Sequence, residues 1–158
     1  MFKEYLFSEQ SKINGLGLFS KIDIPAKSAI VEITGPILKR NENTNINIDT
    51  CLQVSEKLYI GSSGDVDDFI NHSCNPNCYI VAFGKRAILY SLYFIPAGNE
   101  LTFDYSTVFT DRFMECSCKN IKCRKIIKGF HELDEDLKEN YIKNDMVPSF
   151  IKGSIIRG

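Results

Sequence analysis

No segment of this 158-residue chain approaches the apolar length needed to cross a bilayer, and Met1-Phe2-Lys3-Glu4-Tyr5 shows no charged leader running into a long apolar stretch. Neither sign of charge dominates. Nineteen Lys and Arg against 20 Asp and Glu give a formal net charge of −1, so there is no overall electrostatic case for a nucleic-acid partner. Internal repeats and low-complexity linkers are also missing, and with 44% hydrophobic and 25% charged residues a single soluble domain is expected. These absences point to the cytoplasm, with a nuclear or host-targeted location as the alternatives. Six cysteines with no secretory leader fit a reducing compartment, where clustered thiols hold metal more often than they form disulfides.

What is present is concentrated in two places. Asn71 to Cys78 reads Asn-His-Ser-Cys-Asn-Pro-Asn-Cys, a run of donors, acceptors and thiols directly after the apolar pair Phe69-Ile70. Every polar atom buried there needs its own partner, so the run reads either as a binding site or as an Asn/Pro turn with two small buried thiols. Downstream, Cys116, Cys118 and Cys123 form C-x-C-x4-C. Three thiols so close read as metal ligands, and a tetrahedral zinc needs a fourth from elsewhere, which Cys74 or Cys78 can supply. Lys119, Lys122, Arg124, Lys125 and Lys128 make a local basic run, read as a solvated face around the metal loop.

Short β-branched or aromatic segments separated by Gly, Pro and Asn predict strands over 2–7, 17–20, 29–33, 51–54 and 57–60. Segments 79–83 and 85–94 flank Gly84 as a hairpin, 95–98 is a turn and 101–103 a further strand. Residues 39–49 are polar and Asn-rich and read as an exposed loop. Leu133, Leu137 and Tyr141 recur at helical spacing, which predicts an amphipathic helix of about three turns stopped by Pro148.

Three motifs together resemble the SET-domain protein-lysine methyltransferases, in their short, bacterial-type form. They are Asn14-Gly15-Leu16-Gly17-Leu18-Phe19, Phe69-Ile70-Asn71-His72-Ser73-Cys74-Asn75-Pro76-Asn77 and Glu100-Leu101-Thr102-Phe103-Asp104-Tyr105; the cysteine set then looks like a post-SET zinc segment. The resemblance implies a mostly β fold, the β-clip of small sheets with a pseudoknot, plus a zinc-bound post-SET segment and a C-terminal helix. It divides the chain into a catalytic SET domain (1–110), a post-SET segment (111–128) and a helical tail (129–158).

By the same resemblance, Asn14, Gly15, Leu16, Gly17, Asn71 and His72 hold S-adenosylmethionine together with Tyr105. Tyr105 is the catalytic residue, Phe103 and Tyr105 line a lysine channel, and Cys74, Cys116, Cys118 and Cys123 bind a structural zinc. Cys74 is favoured over Cys78 because the family uses the cysteine directly after Asn-His-Ser. Phe103, where the family carries either phenylalanine or tyrosine, implies room for more than one methyl.

Asp104 and Glu100 are read as structural hydrogen-bond acceptors. Two departures stand out: Asp68, where many eukaryotic relatives have arginine, and the lack of a channel tyrosine around Thr50-Cys51-Leu52-Gln53. The activity implied is methyl transfer to a lysine of a protein or peptide, histone-like or other, with no direct nucleic-acid contact and no membrane. The alternative is a catalytically degenerate SET fold that binds a peptide or partner; a zinc-ribbon nucleic-acid module is a more distant third.

Overall fold

The computed structural model describes residues 1–41 and 50–155. Among these the chain forms twelve short strands in four small sheets, followed by two helices. β1 (Leu6–Gln10), β2 (Leu16–Ser20), β10 (Glu100–Phe103) and β7 (Asn71–His72) make a four-stranded sheet in that order. Its last pair, β10 with β7, is parallel, with Thr102 opposite Asn71 and Phe103 opposite His72. β3 (Ala29–Ile33), β9 (Arg86–Ser91) and β8 (Cys78–Phe83) form a second sheet, and β4 (Ile37–Lys39), β6 (Leu58–Ile60) and β5 (Leu52–Gln53) a third. β11 (Phe113–Glu115) and β12 (Ile126–Lys128) pair by themselves.

The expected hairpin is present. Along β8, Cys78, Ile80 and Ala82 point inward while their neighbours are more exposed, the period of two that buries one face of a strand. Gly84 takes φ of +63° in the two-residue loop, a conformation that costs a side-chain-bearing residue more. The second strand ends at Ser91, short of the expected Phe94. Leu92 N–H extends the ladder one step to Asn77 O, and the chain then leaves β8 so that Ile95 pairs with Ile24, which leaves Tyr93 and Phe94 exposed. One core, built on Leu18, Ile24, Ile30, Ile80, Leu89, Ile95 and Leu101, is shared by the first three sheets.

The N-terminal strand begins later than expected. Lys3–Tyr5 is a 3-10 turn closed by Tyr5 N–H to Phe2 O, and the strand proper runs from Leu6. The loop expected over 39–49 opens at the end of β4, and its residues 42–49 lie outside the described part.

The tail holds two helices where one was expected. α1 (Glu135–Lys143) ends at Asn144, with Asp145 at φ +54°, well before Pro148. Leu133 precedes α1, packed in the second core. Pro148 does not stop a helix; its carbonyl accepts from Ile151 and Lys152 at the start of α2 (Ser149–Ile155). Proline is suited to a helix start, where its missing N–H would have had no partner. Phe130, Leu133, Tyr141, Met146, Val147 and Ile151 form a second core, against which Tyr79 and Leu92 of the β body pack.

Candidate active site and cysteine centre

The parallel pair β7–β10 brings the two distant polar motifs side by side. Just after β10, Asp104 accepts from Ser106 N–H and caps a 3-10 turn, Tyr105–Thr107. Tyr105 is therefore the first residue of a capped turn and its position is fixed twice more. Its N–H donates to His72 Nδ1 at 3.1 Å, and its hydroxyl donates to Ile70 O at 2.8 Å. The ring lies 4.9 Å from Phe103 and 5.3 Å from His72, centre to centre. Burial pushes the phenol up to about 12, so at neutral pH it is a protonated donor.

Two cavities meet at this ring. The larger, about 400 Å³, is lined by Phe103, Phe109, Cys51 and Ile60 among others; the smaller, about 370 Å³, by Asn14, Asn71, His72, Met114 and Glu115 among others. Tyr105 and Arg112 belong to both walls. Arg112 is 5% exposed, its guanidinium 4.5 Å from the Phe109 ring centre and 5.5 Å from that of Tyr105.

Of the glycine-containing segment, Asn14 alone reaches the smaller cavity; Leu16 is turned to solvent. Gly17 has a packing role, since a Cβ there would collide with the Glu100 carboxylate. Asn71 Nδ2 donates to Glu100 Oε1 at 2.8 Å and to the carbonyls of Asn14 and Leu16 at 3.2 and 3.0 Å, so Asn71 ties the motifs together. Glu100 also accepts from Ser11 Oγ and is the structural acceptor the sequence suggested. Asp68 is equally local: it accepts from Ser62 Oγ and from the N–H groups of Ser63 and Gly64, closing its own loop. Asn77, read as a plain turn residue, bonds Glu100 O and Thr102 N–H and so anchors the turn to β10.

The cysteine segment folds back onto the same place. Cys74 Sγ lies 3.6 Å from Cys116 Sγ, and ligand atoms of His72, Cys74, Cys116 and Cys118 all fall within 4.8 Å of one another. Cys123 flanks the group, its thiol 3.8 Å from Cys116 O. Cys78 is fully buried in β8. Burial pushes Cys74 up to about 11. Burial also works against a Cys118 thiolate, but the N–H groups of Cys74 and Asn120 and the thiols of Cys116 and Cys123 outweigh it and bring Cys118 down to about 7. Burial lowers His72 to about 4, so its ring is neutral at pH 7. With Nδ1 accepting from Tyr105, the single ring proton is assigned to Nε2, 3.2 Å from Cys74 Sγ.

Asp104 sits beneath both features with no side-chain exposure. Burial alone would raise its carboxyl, but Arg124, bound through two nitrogens at 2.7 Å each, holds it below the usual range. Sequence reasoning missed Arg112, Met114 and Glu115, and it put Arg124 on a solvated face, whereas that side chain is turned inward to the buried Asp104 carboxylate. They become visible only once the β11–β12 hairpin around the cysteines is known.

A SET domain family model matches residues 15–106. Over 140 residues the chain is 32% identical to "Histone-lysine N-methyltransferase trithorax" of Drosophila virilis, covering 80% of this chain and 4% of that protein. Over 134 residues it is 31% identical to "Histone-lysine N-methyltransferase set1" of Dictyostelium discoideum, covering 75% of this chain and 9% of that one. The chain thus spans less than a tenth of the length of either curated relative. Among solved structures, KRYPTONITE in complex with mCHG DNA and SAH superposes with a TM-score of 0.63 at 26% identity, over 77% of this chain and 28% of that one.

Proposed function

The chain belongs to the SET domain family, and on that premise we propose that it transfers methyl groups from S-adenosylmethionine to the side-chain amine of a lysine in a protein substrate. The observation that carries this reading is the pair of cavities meeting at one tyrosine, Tyr105. A direct transfer between two substrates needs two chambers with a common wall, and no acid–base pair of carboxylates. The SAH held by the similar solved structure supports a cofactor of this kind, and the motif residues Asn14, Asn71 and His72 on the wall of the smaller cavity make that cavity its assigned place in this reading. The relatives named as histone-lysine methyltransferases make a histone-like tail the first substrate to test.

Bound there, S-adenosylmethionine would supply a methyl group activated by its sulfonium. The protein's part is geometric and electrostatic. Phe103, Phe109 and Tyr105 exclude water from the incoming lysine, and desolvation lowers the ammonium's pKa so that a free amine is presented. Tyr105, held by Ile70 O and His72 Nδ1, keeps that amine aligned, which removes much of the entropic barrier. Phe103 carries no hydroxyl that would fill the channel end, which leaves room for more than one methyl.

A structural zinc on Cys74, Cys116, Cys118 and Cys123 completes the reading. Three of the four thiols converge at ligand spacing and the fourth adjoins them, so the residues fit the metal. His72 also lies in the group, but the proton assigned to Nε2 suits donation to the Cys74 sulfur better than metal ligation. Four thiolates leave no open coordination position, so the metal has a supporting role. Asp68 closes its own loop on the wall of the larger cavity; what favours the enzyme over the degenerate-fold alternative is the set of Asn71, His72 and Tyr105 kept together where the two cavities meet. Calorimetry with S-adenosylmethionine followed by methyl incorporation into a lysine peptide array tests the proposal; binding and transfer are expected, and absence of both would overturn it.

A further inference from the structure

Beyond the span matched by the SET domain model, one side chain reaches back into the centre. Tyr141, on α1, is 3% exposed, and its ring packs in the second core. Its hydroxyl leaves that core and donates to Asp104 Oδ2 at 2.6 Å. The same oxygen accepts from Arg124 Nη1 at 2.7 Å. The other, Oδ1, accepts from Arg124 Nη2 at 2.7 Å and Ser106 N–H at 3.0 Å, and lies 3.5 Å from His72 Nδ1. One carboxylate therefore collects donors from the Tyr105 turn, the cysteine segment and α1.

We propose that Tyr141 is a positioning residue for methyl transfer: through Asp104 it fixes the capped turn that begins with Tyr105, which makes α1 of the tail a working part of the active centre. The catalytic half of this inference rests on the methyltransferase reading; the conformational half rests on the hydrogen bonds alone. Phenylalanine would fill the second core as well as tyrosine does, so packing gives no reason for the hydroxyl. Without it, Oδ2 keeps Arg124 as its partner and the carboxylate gains freedom about its last torsion, which is intrinsically broad. Rotation weakens the cap on Ser106 N–H and shifts the charge beside His72, whose Nδ1 holds the Tyr105 N–H. In-line transfer is sensitive to such shifts, with a displacement of about 1 Å costing about 10²-fold.

Hydrogen–deuterium exchange and steady-state kinetics on the full chain, comparing wild type with Tyr141→Phe and Leu137→Ala, test this. Leu137 packs against the same second core from the same helix and so reports on packing alone. In Tyr141→Phe the amides of residues 105–107 should exchange about tenfold faster and kcat should fall at least about fivefold at unchanged peptide KM, as expected for a lost hydrogen bond to a charged group. Leu137→Ala should lower Tm and leave those amides and kcat at wild-type values. The inference is overturned if Tyr141→Phe matches wild type in exchange and kcat, or if Leu137→Ala reproduces both losses. A wild-type chain that transfers no methyl overturns the parent reading, and the exchange comparison then still accepts or rejects the hold of Tyr141 on the turn.

Discussion

Tyr105 carries the account at the scale of single residues, because its hydroxyl, its amide and its ring each do something different. Tyr105→Phe removes the donor to Ile70 O and leaves the ring between the cavities. The expected result is a loss of methyl transfer on the order of 10²-fold, with S-adenosylmethionine affinity by calorimetry close to wild type. Phe103 is 4% exposed on the wall of the larger cavity, so Phe103→Tyr adds an oxygen where space is short. Mass spectrometry of the peptide product should then show a shift toward a single added methyl group. His72 predicts a pH dependence of stability. Its folded pKa of about 4 lies below the ordinary value of 6.5, so between these values the unfolded chain binds more protons than the folded one. Stability is therefore fully present above about pH 6.5 and is lost progressively as the pH falls toward 4, by an amount on the order of 3 kcal/mol. Urea unfolding at a series of pH values checks this, and His72→Asn should flatten the curve in that window.

Among the elements, the cysteine segment and the β7–β10 pair were legible in the sequence for opposite reasons. The thiols announce themselves by chemistry, since few other roles need three within eight positions. β7 is two residues long and has no readable periodicity; only the resemblance pointed to it. The β11–β12 hairpin stayed hidden, because Phe113 and Glu115 alternate over too short a run and are held by a segment whose shape the cysteines determine. The tail's helix showed its apolar face through Leu137 and Tyr141, but its end did not, because the stop lies at Asp145 in a left-handed conformation with no glycine to mark it. Metal should be what holds the segment down. Analysis of the purified chain should find about one zinc. Cys118→Ser should lose it and lower Tm by roughly 5 °C or more, since metal binding free energy is folding free energy; full zinc content in Cys118→Ser would remove Cys118 from the ligand set.

Over the whole molecule, two cores and one hydrogen-bond network converge on a single wall. The first core includes Phe103 of β10 and Ile70, just before β7, and the second holds the helix that carries Tyr141. Asp104, between them, joins both to Arg124 of the cysteine segment. The motifs were readable because each is a compact run of special residues. The convergence was not, because it depends on contacts such as Tyr141 with Asp104 that are 37 positions apart. The reading therefore stands or falls on whether the two chambers work as one. The most direct measurement is mass spectrometry of a lysine-bearing histone tail peptide incubated with S-adenosylmethionine and either the wild-type chain or Tyr105→Phe. Added methyl groups on lysine with wild type, nearly abolished in Tyr105→Phe while cofactor binding persists, is the predicted result. Equal methylation by both proteins would contradict the role of Tyr105, and cofactor binding with no methylation of any lysine peptide would contradict the transfer itself.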